Sequence, residues 1–273
     1  MPVFKAARIT VSVAAMLAAV SMPALSVSAG ADQLVAHHAT YALSLAPGNA
    51  NSSITGADGV MTYDLKDTCD GWATDLKLKV IVAFDSGDAR TFESSQVSWE
   101  AKSGKAYRFM IKNDAGQDQA TQLRGEARID SGGAASVTAD LPVKAEAKLP
   151  PDTIFPMTQT ATLLKKAAAG ETVFTANVFD GTTATQVMQE SAAIGAGQKG
   201  WAFGDKFPDL KGVLSYPVDL AFYLGAGTDA TPDTEQQVRL YANGVSGEID
   251  FDLGQLKIRA LLDQLKLQPA PGC

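Results

Sequence analysis

The sequence predicts a mainly β protein, an antiparallel assembly of many short strands with one helix. Apolar and polar residues alternate with a period of two along several segments, and X-Gly pairs recur between them. One stretch near the middle has helical spacing instead. A large sandwich, a barrel or a coiled sheet would each satisfy this pattern.

The first element is a leader. Lys5 and Arg8 precede an apolar core from Val11 to Val20, and Val27-Ser28-Ala29 offers a cleavage site before Gly30 or, nearly as well, before Asp32. The apolar core is too short for a membrane anchor and polar sequence follows at once, so residues 1–29 read as a secretory signal. No cysteine follows the cut, which excludes a lipid anchor there. Cleavage leaves 244 of the 273 residues, enough for one large domain. It takes the 23 basic residues to 21 against 30 acidic ones, and the net charge from −7 to −9. Such a chain is a poor partner for nucleic acid or an anionic membrane.

Strands follow. In Ala73–Asp85, the residues Thr74, Leu76, Leu78, Val80, Val82 and Phe84 share one face. Tyr107, Phe109 and Ile111 alternate with Arg108, Met110 and Lys112; Val238, Leu240 and Ala242 alternate with Gln237, Arg239 and Tyr241. Asp58-Gly59, Ser103-Gly104, Asp180-Gly181 and Asn243-Gly244 are the expected tight turns, because glycine supplies positive φ. Phe155–Ala169 is the helix, with Pro near its start and Gly170 just past its end. Before it, Leu149–Asp152 (LPPD) reads as a crossover inside one domain. The stretch from Leu256 to Gln268 fits a helix by Ile258, Leu261, Leu262 and Leu265, and a strand by Leu256, Ile258, Ala260 and Leu262.

Cys69 and Cys273 are the two cysteines. Two cysteines in an exported chain pair, since that compartment oxidises thiols; the competing reading is two free thiols. The bond would pin a terminus that otherwise frays, and in the chain-entropy model would add at most about 5 kcal/mol.

Chemistry finds little foothold. Gly195–Gly200 matches G-x-G-x-x-G, but Trp201, Gly204 and Pro208 break the helix a dinucleotide site needs. His37 and His38 are the only histidines, and neighbours on a strand face opposite ways, so they do not chelate one metal. Neither H-E-x-x-H nor G-x-S-x-G occurs. Glu248, Asp250 and Asp252 line one strand face as a cation or acid–base candidate, although a solvated outer face explains them more simply. No catalytic, metal or cofactor residues are assigned.

The chain resembles the EipB family of periplasmic cell-envelope integrity proteins in Gram-negative bacteria. The resemblance rests on LVAHHATYALSL (34–45), TCDGW (68–72), IFP and AAAGE around the helix (154–171), VFDG (178–181), SYPVDLAFY (215–223), LYANGVSGEIDFDLG (240–254) and PAPGC (269–273). It implies a single highly curved antiparallel sheet, a β-spiral or half-open barrel, cradling one α-helix, with Cys69 and Cys273 bonded and Leu256–Leu267 a strand. It further implies a non-enzymatic role in envelope integrity under stress, with a periplasmic tetratricopeptide-repeat protein as partner. A histidine frequent in the family after the FP motif is absent here, where the sequence reads MTQT. The broad shape is similar to periplasmic lipoprotein chaperones, which gives the alternative: a carrier sheltering a lipid or acyl chain in a concave apolar cavity. A hydrolase with a dispersed site is a distant third. For protein binding, the candidate surfaces are the loops Ala46–Ala57, Ala192–Gly200 and Gly225–Thr234.

Overall fold

A computed structural model describes residues 34–48, 53–114, 120–199, 206–224, 231–254 and 256–273. The expected signal segment lies outside them. The chain forms β1 (His37–Leu45), β2 (Ile54–Asp67), β3 (Gly71–Phe84), β4 (Ala89–Ala101), β5 (Ala106–Asp114), β6 (Thr121–Ile129), β7 (Ala135–Leu141) and β8 (Ala145–Leu149). After the two-residue β9 (Thr153–Ile154) comes helix α1 (Pro156–Ala168). Then follow β10 (Val173–Val178), β11 (Met188–Ile194), β12 (Ser215–Leu224), β13 (Thr234–Tyr241), β14 (Ser246–Asp252) and β15 (Lys257–Leu267).

All these strands join one sheet in the order β8-β7-β6-β5-β4-β3-β2-β1-β15-β14-β13-β12-β11-β10-β9, antiparallel except for β9 beside β10. The chain starts mid-sheet, meanders out to β8, crosses to the far edge at β9, and returns to pair with its own first strand. Leu149–Asp152 makes that crossing, joining two edges of the same sheet, as expected. Both edges are blunt: β9 has two residues, and β8 is flanked by Pro142 and Pro150 and carries Lys148.

Alternation explains the curl. Ala39, Tyr41 and Leu43 on β1 face Ala260 and Leu262 on β15, and all are buried. Leu65 and Trp72 from one half of the sheet share an apolar cluster with Phe174, Ile194, Val218 and Leu240 from the other, around Leu163 and Leu164 of α1. A flat sheet offers no such meeting, so the sheet wraps into a nearly closed barrel with the helix inside. Burying a leucine like Leu163, 1 % exposed, contributes about 2 kcal/mol. At the seam, the Phe155 and Phe179 rings enter the first half against Tyr107, with centroids at 5.4 and 6.4 Å. There the Tyr107 hydroxyl donates to the Asp180 carbonyl at 2.8 Å.

The helix falls where its pattern predicts. Gly170 adopts φ 77 just past it, and the Gly170 and Glu171 amides donate to the Ala167 and Lys166 carbonyls, a Schellman stop. The ambiguous segment from Leu256 is a strand, and a bulge explains why it mimics a helix. Thr40 pairs with Gln264 and Tyr41 with Leu262, so Asp263 is the extra residue and Leu262 and Leu265 both face inward.

Three expectations are corrected. Asp58-Gly59 is no turn: it lies within β2, where Gly59 pairs with Val80, and an added Cβ would collide with the Lys79 carbonyl. The glycine answers a close approach of backbones, a demand that reads in sequence like a turn. Ala192–Gly200 is not a loop throughout, since β11 runs to Ile194 with Ala192 buried, and Gln198 bridges to Ser215. Tyr241, expected on the polar face, is 1 % exposed, because a register shift after Arg239 turns it into a cluster with Leu210 and Val245. By contrast, Ser103-Gly104 and Asn243-Gly244 are turns with positive φ at the glycine. Asp180-Gly181 lies in the longer β10–β11 connection, where a Cβ on Gly181 would strike the Phe109 ring.

Candidate functional site

The helix is held by a carboxylate from the sheet. Phe155 at its N-cap provides no side-chain acceptor. Glu100 on β4, 1 % exposed, substitutes for it: its carboxylate accepts from the Met157 amide at 2.7 Å, the Thr158 amide at 2.8 Å and the Thr158 hydroxyl at 2.5 Å. Burial pushes the Glu100 carboxyl up, and these three donors pull it part of the way back. The next residue, Gln159, donates from Nε2 to Glu190 of β11 at 2.8 Å. The helix is thus tied to both halves of the barrel.

Beside it lies a cavity of about 350 Å³. Tyr41, Met61, Leu76, Leu163, Val218, Leu220, Phe222, Val238, Ile249 and Phe251 supply most of its wall. The volume is at the lower end of the ~300–1,000 Å³ usual for small-molecule sites. Among the described residues its polar lining includes His37, Gln159, Asp180, Glu190 and Gln236. Burial pushes the Glu190 carboxyl from 4.5 up to about 7, so near neutral pH about half of it carries a proton. Asp180 is likewise raised by burial, its carboxylate accepting from the Thr182 amide and hydroxyl. His37 sits on β1 with its ring 5.6 Å from that of Tyr63. Its Nδ1 donates to the Val35 carbonyl at 2.7 Å, which fixes the proton there and makes Nε2 an acceptor. Nε2 is buried and has no partner among the described residues. Burial holds this imidazole below its ordinary value, so it is neutral at pH 7.

The residues singled out from sequence fall elsewhere. His37 and His38 do face opposite ways: His37 is buried inside, while His38 pairs outside with Asp64 at 3.0 Å. Glu248, Asp250 and Asp252 lie on the outer face, opposite Ile249 and Phe251 of the cavity wall. Cross-strand cations offset two of the three charges: Arg259 meets Glu248 at 3.1 Å and Asp250 at 2.6 Å, and Lys257 meets Asp252 at 2.7 Å. The solvated-face reading therefore describes them. Gly195 donates its amide to the Pro217 carbonyl, so the described part of the G-x-G-x-x-G stretch runs beside β12; Gly200 lies outside the described residues. Of the proposed binding loops, residues 49–52 and 225–230 also lie outside them. Cys69 and Cys273 are drawn as a disulfide with Cα atoms 5.9 Å apart. Among the described residues no helix is long and apolar enough to cross a membrane, and no three His, Cys, Asp or Glu side chains group as metal ligands.

Sequence reasoning missed the interior polar set. Glu190 left a signal, as the one acid in the series Met188, Glu190, Ala192, Ile194. Glu100 left none, because its face on β4 also carries Gln96 and Ser98. In sequence, His37 suggests a metal ligand or one half of a dispersed Ser–His pair, and neither reading points to a buried acceptor.

Outside, the exposed Val60, Ile81 and Val97 each have a charged residue on one cross-strand side, Lys79, Asp58 and Asp75 in turn.

Known proteins share this architecture. The chain is similar to the cell envelope integrity protein EipB of Brucella abortus (strain 2308), with 27 % identity over 247 residues, 88 % of this chain and 86 % of the relative. It also superposes on the crystal structure of a β-barrel-like protein from Brucella abortus, of a domain family of unknown function. That match has a TM-score of 0.78 at 25 % identity and covers 86 % of this chain and 99 % of the other. The characteristic pattern of the EipB-like family matches residues 28–269, and the chain belongs to that family.

Proposed function

We propose that this protein maintains the cell envelope from the periplasm without catalysis, by sheltering a single apolar chain inside its barrel. The observation that carries this reading is the apolar cavity of about 350 Å³ beside α1. The name of the Brucella relative supports the envelope role. The secretory signal at 1–29 supports export. The size of the cavity favours one chain over a multi-chain lipid. Docking to a tetratricopeptide-repeat protein, which the family resemblance implies, is the competing reading.

The test fills the cavity. Leu220→Trp places an indole where Leu220 lines it. Native mass spectrometry of gently purified wild type should show a bound alkyl-chain molecule that this variant lacks. The variant should also fail to restore detergent tolerance to a deletion strain. Full restoration by a stably folded Leu220→Trp protein would overturn the carrier reading and leave protein docking in its place.

A further inference from the structure

We propose that the ligand of this cavity is a single-chain amphiphile whose head donates a hydrogen bond to Nε2 of His37. The inference rests on the carrier reading and adds the chemistry of the head. His37 is 1 % exposed and lines the cavity, its Nδ1 is committed to Val35, and its Nε2 has no partner among the described residues. A buried acceptor left without a donor is costly, so such a group marks where a ligand atom belongs. The acids of the wall already have donors, Glu190 from Gln159 and Asp180 from the Thr182 amide and hydroxyl. His37 therefore supplies the directional contact, and the apolar wall supplies the rest.

This geometry selects among heads. A carboxylic acid or an alcohol donates to Nε2; an ether or an ester only accepts and leaves the nitrogen unpaired. A quaternary ammonium head, which carries no proton to donate, is disfavoured as well. The acid is ionised in water near neutral pH, so its binding takes up one proton from solvent; that proton lies between the carboxyl oxygen and Nε2, and the pair is neutral overall whichever atom holds it.

The full-length exported protein is titrated calorimetrically with dodecanoic acid, dodecanol and dodecyl methyl ether. The acid and the alcohol should bind about tenfold more tightly than the ether. In His37→Phe, which keeps a ring of similar size but no acceptor, the three probes should bind alike at the ether's affinity. His37→Gln, which restores an acceptor, should recover part of the preference. Equal binding of all three probes to wild type would overturn this inference and leave the carrier reading intact. So would a preference that survives in His37→Phe. If none of the probes binds wild type, the carrier reading fails and this inference fails with it.

Discussion

Replacing Glu190 by glutamine should stabilise the fold at pH 8 and leave it unchanged near pH 4. Glu190 is 1 % exposed, and burial pushes its carboxyl from 4.5 up to about 7 against the pull of the Gln159 donor. A folded value above the unfolded one means that the folded chain holds the proton more tightly. The resulting stability is whole below about pH 4.5 and is lost as the pH rises through about 7. At about 1.4 kcal/mol per unit, the interval from 4.5 to about 7 removes about 3 kcal/mol by pH 8. Glutamine keeps the acceptor that Gln159 needs and has no charge to desolvate, so it escapes this loss. A chain of this size shifts by ~2–4 °C per kcal/mol, so the variant should melt roughly 6–12 °C above wild type at pH 8. Thermal and urea denaturation of both proteins, followed by circular dichroism between pH 4 and pH 8, measures the difference. An offset that does not change with pH, or a variant weaker at both ends, would refute the reasoning.

Three further outcomes are expected. Glu100→Ala leaves two helix amides and the Thr158 hydroxyl without their acceptor, and should cost about 3 kcal/mol or more in urea unfolding. Cys273→Ser should lower stability by up to about 5 kcal/mol, given the separation of 204 residues, and reduction of wild type should reproduce it. Two thiols titrating in the denatured, unreduced protein would instead show that the bond is not made. Gly59→Val should lower the urea midpoint by the equivalent of about 1–3 kcal/mol, through collision with the Lys79 carbonyl; an unchanged midpoint would refute the close approach.

The strands were legible because a barrel with a dry inside and a wet outside imposes period two on nearly every strand, as in Leu76–Phe84. The helix was legible from Pro156 and Gly170. What escaped the sequence were features set by partners distant along the chain. Gly59 answers to Lys79 across the sheet, and Leu265 turns inward only because Asp263 bulges opposite β1. The candidate site escaped for the same reason. His37, Gln159 and Glu190 come from β1, α1 and β11, and only closure of the barrel puts them around one cavity. Without the fold, a histidine next to another histidine invites a metal reading; with it, the two rings stand on opposite sides of a wall.

The pairing of the first strand with the last has a consequence for how the molecule is assembled. His37 lies opposite Leu267, and the Gln268 amide donates to the Ala36 carbonyl at 2.7 Å, so the natural ends of the described chain are neighbours. Every other antiparallel contact in the sheet joins strands consecutive in the chain. The one contact that needs the whole polypeptide is thus the middle of the sheet. Until the last strand emerges, the edges of β1 and β15 stay open, and each is a long template for pairing with the wrong chain. Joining the termini and opening the chain at Pro150–Asp152 would rewire the same sheet into an uninterrupted meander from β10 through β15 and β1 to β8. Such a permutant has only local strand contacts in its sheet and should fold faster than the natural order. The natural order delays closure of the barrel until the last strand is available, so the cavity forms last.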